Sequence, residues 1–255
     1  MILGLSGVTM RFGGLVAVDD FSLSLEPGEL VGLIGPNGAG KTTVFNVITG
    51  VYAPTAGKVT LGEKDITGMR PDLITSLGMA RTFQNIRLFS QMTVLENILV
   101  SLHRRLKANI ADAFAWTPRY RREERRMRDQ AMELLSRVNL VDYADARGGS
   151  LPYGSQRRLE IARALATGPR VLLLDEPAAG MNLAESTELM RFIQKIRRDF
   201  GLTILLIEHQ MRVVMGISQR IIVIDHGIAI SRGTPEEVSR DPKVIEAYLG
   251  VEEHA

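Results

Sequence analysis

The nine residues Gly35-Pro36-Asn37-Gly38-Ala39-Gly40-Lys41-Thr42-Thr43 constrain this chain more than any other stretch, because they satisfy the phosphate-binding pattern G-x-x-x-x-G-K-[ST] in full. The apolar run Leu30 to Ile34 just before reads as a buried strand, and Thr43 to Ile48 continues as a helix. In that context each residue type has a task. The glycines let successive backbone N–H groups turn toward an anion, and the helix N-terminus adds partial positive charge. Lys41 reaches the outer phosphates, and the Thr42 hydroxyl can ligate magnesium. Such a pattern arises by chance in roughly one chain in a hundred of this length. The competing reading, a glycine-rich turn with no ligand, is therefore judged against the motifs that follow.

With 255 residues the chain can build one large α/β domain or two small ones without disulfides, and it has no cysteine, which fits a reducing compartment. A formal net charge of +2 gives little reason to expect nucleic acid as a partner. The longest apolar runs, such as Val171 to Leu174 and Ile204 to Ile207, fall far short of the ~20 residues needed to cross a bilayer. Met1 to Met10 lacks a basic start followed by a cleavage site, so the expected location is cytoplasmic.

Taken in order, residues 2 to 34 alternate β-type runs with turns: Val8 to Met10, Val16 to Val18, Phe21 to Leu25 and Leu30 to Ile34. Pro54, Gly57 and Gly62 punctuate a further hairpin with Lys58 to Leu61 as one strand, and Leu73 to Leu77 reads as helix. A helical region begins after Phe83-Gln84-Asn85. Thr93-Val94-Leu95-Glu96 is a capping box that opens a helix to about Leu102. Trp116, Tyr120, Met127, Ala131, Leu134, Leu135 and Val138 mark one face of a longer helix. The charge run Arg119 to Arg128 is either its solvated face or a contact for lipid headgroups or a protein partner. Ser155 to Ala166 is a further helix. Helix 184–200, strand Thr203 to Ile207 and a hairpin joined at His226-Gly227 follow. Thr234-Pro235-Glu236-Glu237 opens a capped helix and Asp241-Pro242 another.

The run Val171-Leu172-Leu173-Leu174-Asp175-Glu176 reads as a central parallel strand whose acidic carboxyl end faces a ligand. Asp175 suits holding magnesium through a water, and Glu176 suits orienting and deprotonating an attacking water.

With these motifs in place the sequence resembles the ATP-binding cassette family of ATPases over essentially its whole length. The resemblance rests on Gly35 to Thr43, Val171 to Glu176, Gln84 in Arg81-Thr82-Phe83-Gln84, the segment Leu151 to Arg158, and His209 after an apolar strand. It implies an α/β fold: a P-loop NTPase (RecA-like) core with an antiparallel β subdomain and an inserted α-helical subdomain. The implied division is a core of 1–84 and 155–233, a helical subdomain of 85–154 with the signature at its end, and a C-terminal helical extension of 234–255. It implies ATP and Mg2+ as ligands, with Gly35, Pro36, Asn37, Gly38, Ala39, Gly40, Lys41, Thr42 and Thr43 around the phosphates. Thr42, Gln84 and Asp175 would attend the metal, Glu176 would act as base, and Gln84, His209 and Lys41 would serve the terminal phosphate. Phe12 stands where the family's adenine-stacking aromatic belongs; the alternative is a core aromatic. The signature, normally Leu-Ser-Gly-Gly-Gln, is only partly kept: Pro152 replaces the serine, Tyr153 the first glycine and Ser155 the glutamine. Gly154, Ser155 and the following helix N-terminus would still offer N–H groups. Asn182 replaces a usual aspartate.

Within the family, Ala80 to Phe89, the tyrosine in the signature, the insertion around Ala108 to Arg128 and the ending Ala247-Tyr248-Leu249-Gly250 resemble the ATPases of branched-chain amino-acid importers. The implied function is the ATP-hydrolysing subunit of an importer for branched-chain or other hydrophobic amino acids. It would lie on the cytoplasmic face of the membrane, working with transmembrane permease subunits and a second copy or a sister ATPase. A periplasmic or extracellular solute-binding protein would be an indirect partner. Leu88, Phe89 and Met92 are the expected seat of a permease helix. The alternatives are lipopolysaccharide or lipid export, a soluble ATPase acting on nucleic acid or ribosomes, and a regulator without turnover. The intact Lys41, Asp175 and Glu176 argue against the last.

Overall fold

Three five-residue strands, β3 (Leu30–Ile34), β7 (Val171–Asp175) and β8 (Thr203–Ile207), are buried at every position. Strands buried along their whole length are covered on both faces, and here they lie side by side and parallel. They form the centre of a six-stranded sheet in the order β10-β9-β3-β8-β7-β6, completed by β6 (Met79–Arg81), β9 (Arg220–Asp225) and β10 (Ile228–Gly233). Only β10 runs antiparallel, returning from β9 through His226-Gly227. Both turn residues have positive φ, 43° and 81°, the geometry that matches the twist of a two-residue hairpin. The computed structural model describes residues 1–103 and 118–249. Trp116, Ala108 and Gly250, which figure in the sequence reading, lie outside the described residues.

A second, antiparallel sheet has the order β2-β1-β4-β5, from β1 (Leu3–Phe12), β2 (Leu15–Leu25), β4 (Ala56–Leu61) and β5 (Lys64–Asp65). The short runs expected before residue 26 are thus pieces of two long strands. Their alternation is broken by register shifts between Leu5 and Arg11, where Gly7 on β1 and Asp20 on β2 take positive φ. Between the sheets, Val31 and Leu33, Val171 and Leu173, Leu205 and Ile207, and Ile222 and Ile224 share one core with Leu3, Phe21 and Leu61. Helix α1 (Lys41–Ile48) contributes Val44, Phe45, Val47 and Ile48 to it. On the other face of the parallel sheet, Ile34, Ile221 and Val223 pack with Val214, Val238 and Val244. This period-two division is what a strand with two covered faces requires.

Residues 1–84 and 170–255 make one compact unit and Asn85–Pro169 a second. The first unit also holds α2 (Pro71–Ser76), which precedes β6. The second is helical: α3 (Val94–His103), α4 (Pro118–Arg137) and α5 (Tyr153–Ala166). The Thr93 capping box is present, with Glu96 N–H donating to Thr93 Oγ1 at 3.1 Å and Thr93 N–H to Glu96 Oε2 at 2.7 Å. The expected subdomain ended at 154. The observed unit continues to Pro169 and so takes in α5, whose buried Leu159, Ile161, Ala162 and Leu165 face its own core.

After β7, α6 (Leu183–Phe200) buries Leu189, Phe192, Ile193 and Ile196, the spacing of one helix face. Asn182 caps it: Asn182 Oδ1 accepts from Ala184 and Glu185 N–H, and Glu185 returns a bond to Asn182 N–H. The chain then passes through α7 (Met211–Ile217), the capped α8 (Pro235–Ser239) and α9 (Pro242–Leu249). No helix among the described residues is long and apolar enough to cross a membrane.

In the second unit, Arg157 is fully buried and donates to Glu160 Oε2 at 2.6 Å, while Glu160 Oε1 accepts from Arg87 N–H at 3.3 Å. Glu160→Ala removes one charged partner of the buried Arg157 guanidinium and is expected to cost about 2–3 kcal/mol. Equilibrium urea denaturation reads this directly, and a loss below about 1 kcal/mol would contradict it.

Candidate functional site

The loop from β3 into α1 is shaped by close approaches that only glycine permits. Gly35 has φ +154°, and a Cβ there would sit 1.9 Å from the Ile224 carbonyl oxygen; at Gly40, φ +104°, it would meet Ala17 O at 2.5 Å. The loop is thus pressed against β9 and β2, and the opening turn of α1 presents N–H groups with no intrahelical partner. Lys41, 6% exposed, folds its Nζ back onto the carbonyls of Gly35 and Pro36, both at 2.7 Å. Burial lowers its pKa, and the carboxylates of Glu176 and Asp175 work in the opposite direction. An ammonium so held is poised inside the anion cradle.

The acids follow from the end of β7. Asp175 is the last buried residue of the strand, and its Oδ2 accepts from Arg81 Nη2 at 2.6 Å. Glu176 leaves the sheet with φ +45°, a left-handed backbone that costs a non-glycine residue about 1–3 kcal/mol. Its N–H still donates to Ile207 O at 2.9 Å, so the strain is confined to the turn that re-aims the side chain. Glu176 Oε2 accepts from Gln84 Nε2 at 2.8 Å, and Oε1 lies 2.5 Å from His209 Nε2. Gln84, Glu176 and His209 are therefore one hydrogen-bonded group.

Glu208, 2% exposed, fastens the two loops that carry Glu176 and His209. It accepts from Ala178 N–H at 2.6 Å and from His209 N–H at 3.1 Å. Burial raises its pKa, against the three backbone bonds that favour the carboxylate.

A cavity of about 440 Å³ opens over this arrangement. Phe12, Ala17, Asn37 to Thr43, Glu176, His209 and His226 line it. Phe12 is 41% exposed at the end of β1 and stands edge-on to Tyr52, with ring centroids 5.2 Å apart. It is thus a wall residue rather than a core aromatic. Thr42 and Asp175 offer one hydroxyl and one carboxylate. Such a donor set suits a cation carried in on phosphates, which takes few protein ligands. Among the described residues there is no group of three or more His, Cys, Asp or Glu that could hold a metal by itself.

Gly154 and Ser155 belong to the helical unit, in the first turn of α5. Pro152 is the N-cap and supplies no side-chain cap bond, and Ser155 N–H is taken by Pro152 O at 2.9 Å. A Cβ at Gly154 would have nothing within 4 Å, so its backbone faces open space.

Sequence reasoning missed Arg81, Asn46, Tyr52, His226 and Glu208. Arg81 had no local signal, because its three-residue strand β6 is defined by pairing with the distant β7, which ends at Asp175.

Comparison with known proteins gives a match to the family described as ABC transporter over residues 18–179, and to the branched-chain amino acid ATP-binding cassette transporter family over residues 230–254. The high-affinity branched-chain amino acid transport ATP-binding protein LivG of Salmonella typhimurium is 50% identical over 249 residues, covering 98% of each chain. The lipopolysaccharide export system ATP-binding protein LptB of Acidithiobacillus ferridurans is 36% identical over 235 residues, covering 92% of this chain and 91% of its own. The crystal structure of the ADP conformation of an ATP-binding cassette of an ABC transporter superposes with a TM-score of 0.85 at 32% identity, covering 98% of both chains.

The loop geometry makes its own prediction. Gly35→Ala forces a Cβ into the Ile224 carbonyl, so the loop or β9 must move; the expected loss is about 1–3 kcal/mol of stability together with weakened anion binding. Thermal unfolding with and without nucleotide checks it. A variant with the parent's melting temperature and the parent's nucleotide-induced shift would refute the packing argument.

Proposed function

Because this chain belongs to the ABC transporter family, we propose that it is the ATP-hydrolysing subunit of an importer for branched-chain amino acids. The single observation that carries the catalytic reading is the Gln84–Glu176–His209 group at the mouth of a phosphate-loop cavity. The substrate class is supported by LivG, which matches at 50% identity against 36% for the lipopolysaccharide export protein. The family match at residues 230–254 favours the same choice.

In this reading the β- and γ-phosphates of ATP lie on the N–H groups of Gly38 to Thr43, and the Lys41 ammonium transfers from the Gly35 and Pro36 carbonyls to phosphate oxygens. Phe12 stacks on the adenine. Thr42, Asp175 and Gln84 would hold a nucleotide-borne Mg2+, which would supply charge neutralisation at the phosphate oxygens. Glu176 accepts the proton of the attacking water as the water oxygen bonds to the γ-phosphorus and the bond from that phosphorus to the β–γ bridging oxygen breaks, leaving ADP and phosphate. Gln84 and His209 fix its carboxylate until substrate arrives, and His209 Nε2, 44% exposed at the side chain, then turns to the terminal phosphate.

The first turn of α5 is read as the signature contact to the nucleotide of a second ATPase, copy or sister. Here Gly154 backbone and the helix end replace the missing serine hydroxyl. The second ATPase is part of the proposal, as is a peripheral position on the cytoplasmic membrane face beside permease chains. Phe89 and Met92, 43% and 40% exposed, with half-buried Leu88 beside Phe89 in the chain, offer an apolar seat for a permease helix.

Two measurements test this. Glu176→Gln is expected to lower steady-state phosphate release by about 100-fold or more while ATP binding stays near the parent's; hydrolysis within threefold of the parent's would sink the assignment. Affinity capture of the chain from native membranes in mild detergent is expected to bring down permease chains. Recovery of ribosomes or nucleic acid instead would turn the reading toward a soluble ATPase.

A further inference from the structure

Arg81 is a strongly charged side chain beside the acids that the mechanism above leaves unused. It lies at the end of β6, in register with Leu173 of β7, so the two-residue strand period places it diagonally beside Asp175. One guanidinium nitrogen, Nη2, donates to Asp175 Oδ2 at 2.6 Å; the other, Nη1, donates to Asn46 Oδ1 at 2.7 Å and reaches Thr49 Oγ1 at 3.4 Å. Asn46 and Thr49 belong to α1 and its C-cap, the helix that opens with Lys41 and Thr42. The guanidinium carbon also stands 5.4 Å from the ring centre of Phe45 and 5.1 Å from that of Phe83. Both partners of the ion pair are 7% exposed at the side chain.

A pair buried this deeply gives little net stability over an apolar replacement, because desolvating both charges offsets their attraction. Its geometry serves orientation. The planar fork spans β7 and α1, a reach a lysine point charge does not reproduce. It takes one carboxylate oxygen of Asp175 and leaves the other for a ligand. Three residues on, Gln84 holds Glu176 in the same way, so one short segment orients both adjacent acids.

We infer that Arg81 is a positioning residue that sets the Asp175 carboxylate, relative to the helix bearing Thr42, for the metal carried by the nucleotide. The inference rests on the proposed role of Asp175. It specifies a chemical consequence: loss of the Arg81 bridge weakens binding of the metal–nucleotide complex and spares binding of the metal-free nucleotide.

The test is equilibrium binding of a fluorescent, nonhydrolysable ATP analogue to the full chain, in excess Mg2+ and in excess chelator. The parent is expected to bind more tightly with Mg2+, and Asp175→Asn to lose that gain. Arg81→Lys is expected to leave the Kd in chelator within about twofold and weaken the Kd in Mg2+ by about tenfold, the scale of an outer partner of a metal ligand. Asn46→Ala keeps Arg81 and Asp175 in place but removes the second anchor. It is expected to move the same ratio in the same direction, and it carries the test if Arg81→Lys does not fold. A Mg2+ gain equal to the parent's in the folded variants, with the gain lost in Asp175→Asn, overturns the role of Arg81 alone. A gain unchanged in Asp175→Asn overturns the metal reading itself. Equal weakening in chelator and in Mg2+ would make Arg81 a packing residue and also refute the inference.

Discussion

The constraint on which the site depends is that β3, β7 and β8 are buried along their whole length. Strands covered on both faces and apolar through their middles can place chemistry only at their ends. All three stop at the same edge of the sheet. Gly35 follows the end of β3, Asp175 ends β7, and Glu208 and His209 follow β8. Parallel pairing in register is what brings these ends together, so the apolar core sets the relative positions of groups that never enter it. Glu176 N–H bonded to Ile207 O shows the sheet pairing continuing one residue into the functional turn.

How much of this was legible in the sequence depended on how local its cause is. The phosphate loop, the strand running into Asp175, the Thr93 and Thr234 caps and the His226-Gly227 hairpin were readable because a few adjacent residues determine each. The two long opening strands were seen only in pieces, because bulges near Gly7 and Asp20 break the alternation that marks a strand. β6 is three residues long and has no periodicity to detect; it exists because β7 is its neighbour. The boundary of the helical unit was placed at 154 from the end of the signature, whereas α5 buries its apolar face within that unit. For the site, Glu176 was read from the acidic end of an apolar strand and Gln84 and His209 from a resemblance in motif order, and their hydrogen-bonded grouping was invisible in one dimension. Glu208 was missed because an acid beside a histidine gives no hint that three backbone N–H groups converge on it.

The two departures from the family pattern behave differently. Asn182 keeps the capping function an aspartate would serve, since either side chain offers an oxygen to the N–H groups of Ala184 and Glu185, and the reciprocal bond comes from Glu185. At Pro152 nothing comparable survives. A proline N-cap has no side-chain acceptor, and the first turn of α5 relies on the Pro152 carbonyl for Ser155 and Gln156. For the anion contact proposed there, the backbone around Gly154 and the partial charge of the helix end would have to suffice.

The bonds around Glu160 bear on mechanics as well as on stability. Its carboxylate holds Arg87 N–H, and Arg163, also on α5, donates to the Arg87 carbonyl and stacks over Phe89 at 4.7 Å. Both sides of one peptide segment are thus tied to a single helix, about two to three turns from its N-terminal end. A segment anchored at two points on one helix moves with that helix rather than past it, so a partner seated on Phe89 would bear on α5 as well.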